Sequence, residues 1–131
     1  ISDVSTAKNI LTVGAVGKIS NYTGPESVGM STFSGWGPTD DGRIKPDLVA
    51  AGVNLFSTST NNAYTTLSGT SMATPNTTGS LALLQELYKK RNGTYLSAAS
   101  LKALAIHTVK EAGSSPGPDY RFGWGLLDVN A

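Results

Sequence analysis

Two stretches of the sequence predict an α/β fold. Asn9-Ile10-Leu11-Thr12-Val13-Gly14-Ala15-Val16 is a short apolar run rich in β-branched residues. Without polar alternation, such a run suits a strand of a parallel sheet covered on both faces. From Ser71 to about Tyr88 the residues are small or apolar at Met72, Ala73, Gly79, Leu81, Ala82, Leu83, Leu84 and Leu87. A helix apolar almost all round is a buried helix, so a central helix on a sheet is expected.

The remaining elements follow in order. Lys18 to Met30 contains Gly24-Pro25 and reads as a surface loop. Ser31-Thr32-Phe33-Ser34-Gly35-Trp36-Gly37-Pro38 reads as a strand, followed by a turn at Asp41-Gly42 and a tight run limited by Pro46 and Gly52. Val53 to Thr58 and Ala63 to Leu67 read as two strands joined by a turn at Asn61-Asn62. Arg91-Asn92-Gly93 should stop the central helix, with Lys89, Lys90 and Arg91 complementing its C-terminus. Ser97 is expected to cap a second helix from Ala98 to about Lys110, and Gly113 to Pro118 breaks the chain.

Composition narrows the function. A chain of 131 residues can bury roughly two-thirds of its unfolded surface as one domain. Ten basic against nine acidic residues give a net charge of +1, which leaves no electrostatic footprint for nucleic acid. No run approaches the ~20 apolar residues of a membrane span. The absence of cysteine excludes disulfides, thiolate chemistry and cysteine-based zinc sites, and says little about compartment. Ile1-Ser2-Asp3 offers neither Met nor a charged start, so no signal peptide is expected and the opening reads like the interior of a longer protein.

The chemistry concentrates in Gly69-Thr70-Ser71-Met72-Ala73-Thr74-Pro75. Gly69 permits a tight or left-handed backbone, Thr70 has an N-cap side chain, and Pro75 sits early in the helix. A serine in the first helical turn has its hydroxyl beside an unpaired N–H and the positive end of the macrodipole. Its own backbone N–H could then donate to an oxyanion. On loop chemistry alone two readings stay open, a Ser/Thr-rich cap on a core helix or a nucleophile.

Those seven residues resemble the nucleophile motif of the subtilisin-like serine proteases (subtilases, peptidase S8 family). Val13-Gly14-Ala15, Phe33-Ser34-Gly35-Trp36-Gly37-Pro38, Lys45-Pro46-Asp47-Leu48-Val49-Ala50-Ala51-Gly52 and Gly123-Trp124-Gly125-Leu126-Leu127-Asp128-Val129-Asn130-Ala131 resemble further subtilase segments in the same order. Two departures are Asn76, where the family usually has a histidine that is not the catalytic one, and Ala51 in place of a proline.

The resemblance implies an α/β, three-layer fold with a mostly parallel sheet, helices on both faces and a buried central helix starting at the nucleophile. It makes Ser71 the catalytic nucleophile and the Ser71 backbone N–H half of the oxyanion hole. It also implies an extended peptide or protein substrate, an oxidation-sensitive Met72 beside the nucleophile, and an extracellular or periplasmic setting. Thr70 is better read as a cap than as an oxyanion contact.

What these residues lack matters equally. A serine hydroxyl needs a base, and the base an orienting partner. The sole histidine, His107, falls within the second helix; a Ser71, His107 and Asp119 or Asp128 set does not fit the Ser, Asp, His order of α/β-hydrolases, and nothing in the spacing pairs it with Asp47. Subtilases run Asp, His, Ser along the chain. Residues 1–131 are therefore expected to be the C-terminal portion of one subtilase catalytic domain, without its Asp, His and oxyanion Asn, and inactive alone. The parent would be a serine endopeptidase acting through an acyl-enzyme on Ser71. The alternative is a non-catalytic subtilase-like scaffold or peptide-binding module.

Asp40 and Asp41 read as a solvated turn rather than a calcium site, which needs six or more oxygens. No cofactor or metal site is expected among these residues, although the resemblance allows calcium elsewhere in the parent. The sequons at Asn21, Asn76 and Asn92 are no more than chance supplies, and Asn76, following the buried motif, is a poor acceptor. Strands covered on both faces and an all-round apolar helix need more cover than 131 residues supply. Packing against the missing N-terminal half, a second copy or another chain is expected.

Overall fold

The structure, a computed structural model, describes residue 1 and residues 3–130; Ala131 of the final motif lies outside them. Strands β1 (Val13–Val16) and β2 (Leu48–Ala51) pair in parallel, with Val13 opposite Leu48 and Val16 opposite Ala51. Single bridges widen this ribbon: Met30 runs antiparallel to Val16, Leu126 parallel to Val49, and Lys110 antiparallel to Leu126. A separate antiparallel hairpin comprises β3 (Leu55–Ser59) and β4 (Ala63–Leu67). Helices α1 (Thr70–Asn92) and α2 (Ala98–His107) follow.

Both faces of the parallel pair are covered, as the unbroken apolar run predicts. Ala15 and Ala50 meet Ala73 of α1 on one face, with Val13 and Leu127 beside them. On the other, Val16 and Val49 pack with Val28, Ala112 and Phe122. That second face is closed by irregular segments, not by the expected helix, because α2 stops at His107 and Lys110 pairs with Leu126 instead.

Local signals set the ends of several elements. Asn61 and Asn62 adopt φ of 57° and 55°, the left-handed conformation of primed hairpin turns. Gly93 ends α1 at φ 76°, its amide donating to Lys89 O at 2.8 Å. Ser97 Oγ caps α2 by accepting the Ser100 amide at 3.1 Å.

One expectation is corrected. Residues 31–38 form no strand. Ser34 Oγ accepts the Ala15 amide at 3.0 Å, so a side chain takes the place of a ladder carbonyl and the backbone turns away. Lys18 to Met30 holds one short 3₁₀ turn, Pro25–Ser27. Within this chain α1 is not buried all round. Only Ala73 and Thr77, one turn apart on one face, are buried, and Leu83 is 66% exposed. The parallel ribbon is too narrow to cover more than that stripe.

Buried charge ties the ribbon to α2. Asp47 Oδ2 lies 2.6 Å from Lys45 Nζ, and Asp47 Oδ1 lies 2.9 Å from Lys102 Nζ of α2. The Thr12 amide also donates to Asp47 Oδ2, at 2.6 Å. Burial alone would raise the Asp47 pKa, but the hydrogen bonds from Lys45, Thr12 and Lys102 outweigh it and hold the carboxyl below its ordinary value.

Candidate active site

The loop from β4 into α1 is pinned to the end of β2. The Gly69 amide donates to Gly52 O at 2.8 Å, and the Gly52 amide donates to Val16 O at 3.0 Å. Gly69 O then accepts the amides of Met72 at 3.0 Å and Ala73 at 3.3 Å, which closes the first turn of α1. The amides of Thr70 and Ser71 are left as the orphan donors of the helix N-terminus.

Ser71 is the second residue of α1 and is exposed. Among the described residues neither its N–H nor its Oγ makes a hydrogen bond. A free hydroxyl thus stands beside a free amide at the positive end of a 23-residue helix. Such an arrangement can present an oxygen nucleophile and stabilise negative charge close to it.

Details of the motif differ from expectation. Gly69, not Thr70, is the N-cap; its φ of 162° is extended rather than left-handed, and no side chain caps the helix. Thr70 is already helical, and its carbonyl accepts Thr74 Oγ1 at 3.0 Å. Pro75 lies beyond the first turn, so its missing N–H removes the bond that would reach Ser71 O. Asn76 is exposed, and its Nδ2 donates to Ala51 O at 3.3 Å, a second tie between α1 and the end of β2.

Met72 is half-buried and helps line a cavity of about 350 Å³ between the hairpin and the first turns of α1. Leu55, Phe56, Leu67 and Pro75 form much of the rest. On the hairpin, Phe56 and Tyr64 stack with centroids 5.5 Å apart and are 71% and 64% exposed.

None of the acid and base candidates is brought to Ser71. His107 ends α2 and is exposed, and its imidazole makes no hydrogen bond or ion pair among the described residues. Asp47 is committed to Lys45 and Lys102, and Asp128 to Lys110. Asp119 Oδ1 accepts the amides of Arg121 and Phe122, each at 2.7 Å.

At the Asp40-Asp41 turn, hydrogen bonds from Arg43 and Thr39 hold the Asp41 carboxyl down at about 2. No three His, Cys, Asp or Glu side chains converge among the described residues. No described helix is long and apolar enough to cross a membrane.

Fold and site together define an α/β protein whose long helix, packed on the parallel strands, carries an unpaired serine in its first turn. The chain belongs to the subtilase family, Peptidase S8, whose family model matches residues 1–125. It is 40% identical over 117 residues to the PII-type proteinase of Lacticaseibacillus paracasei, a match covering 78% of this chain and 6% of that protein. With the C5a peptidase of Streptococcus pyogenes it shares 50% identity over 60 residues, 46% of this chain and 5% of the relative.

Among solved structures, the Clostridium perfringens CspB protease superposes with a TM-score of 0.78 at 33% identity, over 96% of this chain and 26% of the protease. The prenylagaramide maturation protease PagA gives 0.73 at 26% identity, over 96% of this chain and 42% of its own. The chain thus spans less than half of each of these relatives. The resemblance carried by Ser71 and the ordered motifs is confirmed at the level of family and fold.

Proposed function

We propose that residues 1–131 are the C-terminal portion of a subtilase catalytic domain, and that the longer protein is a serine endopeptidase with Ser71 as nucleophile. The observation that carries this reading is the unpaired Ser71 hydroxyl beside its own unpaired amide at the start of α1. Ser71 Oγ attacks the carbonyl carbon of an extended peptide and gives its proton to a base. By resemblance that base is a histidine, oriented by an aspartate, both in the portion preceding Ile1. The Ser71 N–H donates to the oxyanion of the tetrahedral intermediate, with an asparagine of the same portion as its partner. The C–N bond then breaks, the amine leaves with the base's proton, and water cleaves the resulting ester.

On this reading the isolated chain is inactive, since it holds one member of the triad. The exposed leucines of α1 support a packing partner, and the preceding half of the same domain is the one we favour. An extracellular or periplasmic site of action, and calcium elsewhere in the protein, rest on the family resemblance alone. The test is proteolysis by the full-length protein and by its Ser71→Ala variant. Loss of cleavage with an unchanged melting temperature is expected, and cleavage that survives the substitution refutes the assignment.

A further inference from the structure

We infer that Gly52 is the positioning residue of Ser71, acting through the Gly69 carbonyl. The inference rests on the reading of Ser71 as nucleophile. Gly52 is buried immediately after β2, and it grips the serine loop by accepting the Gly69 amide at 2.8 Å. It also sets a floor. A Cβ at position 52 would lie 2.8 Å from Gly69 O, 2.8 Å from Ala15 Cβ and 3.1 Å from Ala73 Cβ. Real side chains do not approach that closely, so something must move.

The three neighbours are not equivalent. Ala15 belongs to the sheet, whereas Gly69 and Ala73 stand two residues either side of Ser71. Gly69 O is also the acceptor for Met72 and Ala73, so displacing it tilts the whole first turn of α1. The position of the hydroxyl is therefore set from both sides by the lack of one methyl group. A nucleophile displaced by about 1 Å loses roughly 100-fold in rate.

The test separates packing from positioning in the full-length protein. Gly52→Ala is compared with Gly52→Ala combined with Ala15→Gly and Ala73→Gly, and the Ala15→Gly/Ala73→Gly pair serves as reference. The two added glycines remove the side-chain clashes and leave the one with Gly69 O. The expected result is a triple variant with the melting temperature of the reference but kcat, and the rate of fluorophosphonate labelling at Ser71, roughly 100-fold lower with KM unchanged.

A triple variant with the kcat of the reference overturns the inference. If the Gly52→Ala variants do not fold, hydrogen exchange of the wild-type protein decides. A protected Gly69 amide supports the pin, and exchange at the rate of an open loop overturns it. Cleavage by a Ser71→Ala protein would refute the nucleophile reading separately, whatever the Gly52 series returned.

Discussion

Pro75 stands where an amide would otherwise donate to the carbonyl of Ser71, so the helix is one bond short at the residue proposed as nucleophile. A proline in a helix interior costs about 3 kcal/mol relative to alanine, through the missing bond and the clash of its ring with the carbonyl four residues back. That cost falls on the turn bearing Ser71.

Replacing Pro75 by alanine restores the donor and draws the Ser71 carbonyl into the ladder. Pro75→Ala is predicted to raise the melting temperature of the full-length protein and to lower kcat, because the serine moves with its carbonyl. Differential scanning calorimetry and steady-state kinetics on the same preparation check both halves.

Asp47 is predicted to be the most costly single charge to remove. It is 7% exposed, its partner Lys45 is 3% exposed, and Lys102 joins them from α2. Leaving a buried partner unpaired costs about 3–5 kcal/mol, so Asp47→Asn should lose that much in a denaturant titration. The pH dependence has a definite sign. The folded pKa lies below the ordinary 3.8, so the stabilisation is complete above about 3.8 and is lost as pH falls through the folded value. The gap between wild type and Asp47→Asn should therefore narrow in acid and stay constant above pH 5.

Two glycines with left-handed backbones should respond differently to alanine. Gly123 has φ 66°, and an added Cβ would run into the carbonyl oxygens of Pro46 and Asp47. Gly93 has φ 76° with open space around it. Gly93→Ala should cost about 1–2 kcal/mol, the conformational term alone. Gly123→Ala should cost clearly more, because the strand leading from Pro46 must shift as well. Thermal denaturation of the pair checks the ranking.

The exposed stripe of α1 predicts association of the 131-residue chain when it is made alone. Leu83 and Leu87 are 66% and 45% exposed, and they border a cavity of about 300 Å³ shared with α2 and the segment through Val129. Apolar patches of this kind seldom stay free. Light scattering should show self-association that falls sharply on Leu83→Lys with Leu87→Lys. A monodisperse wild-type monomer would contradict the need for cover.

Much of this was legible in the sequence where the signal is local. Asn61-Asn62, Gly93 and Ser97 each carry their turn or cap chemistry in one or two residues, and each lies where expected. The seven residues around Ser71 were legible as a motif, and the family match accords with them.

What escaped depends on distant partners. Nothing near Ser34 announces that its hydroxyl will replace a strand for Ala15. Asp47 and Lys102 are 55 positions apart, and no spacing rule joins them. Gly52 reads as the end of a run, not as the floor beneath Gly69. The apolar composition of α1 says that a face wants cover and not what supplies it. His107, not read as the base for Ser71, lies exposed at the end of α2.

The most direct test of the central claim is labelling of the full-length protein with a fluorophosphonate, followed by mass spectrometry of the peptide spanning residues 67–75. The account predicts one phosphonyl group per chain, carried on Ser71, together with loss of proteolysis in proportion to labelling. Inactivation of an active preparation by the reagent with Ser71 left unmodified would contradict the account.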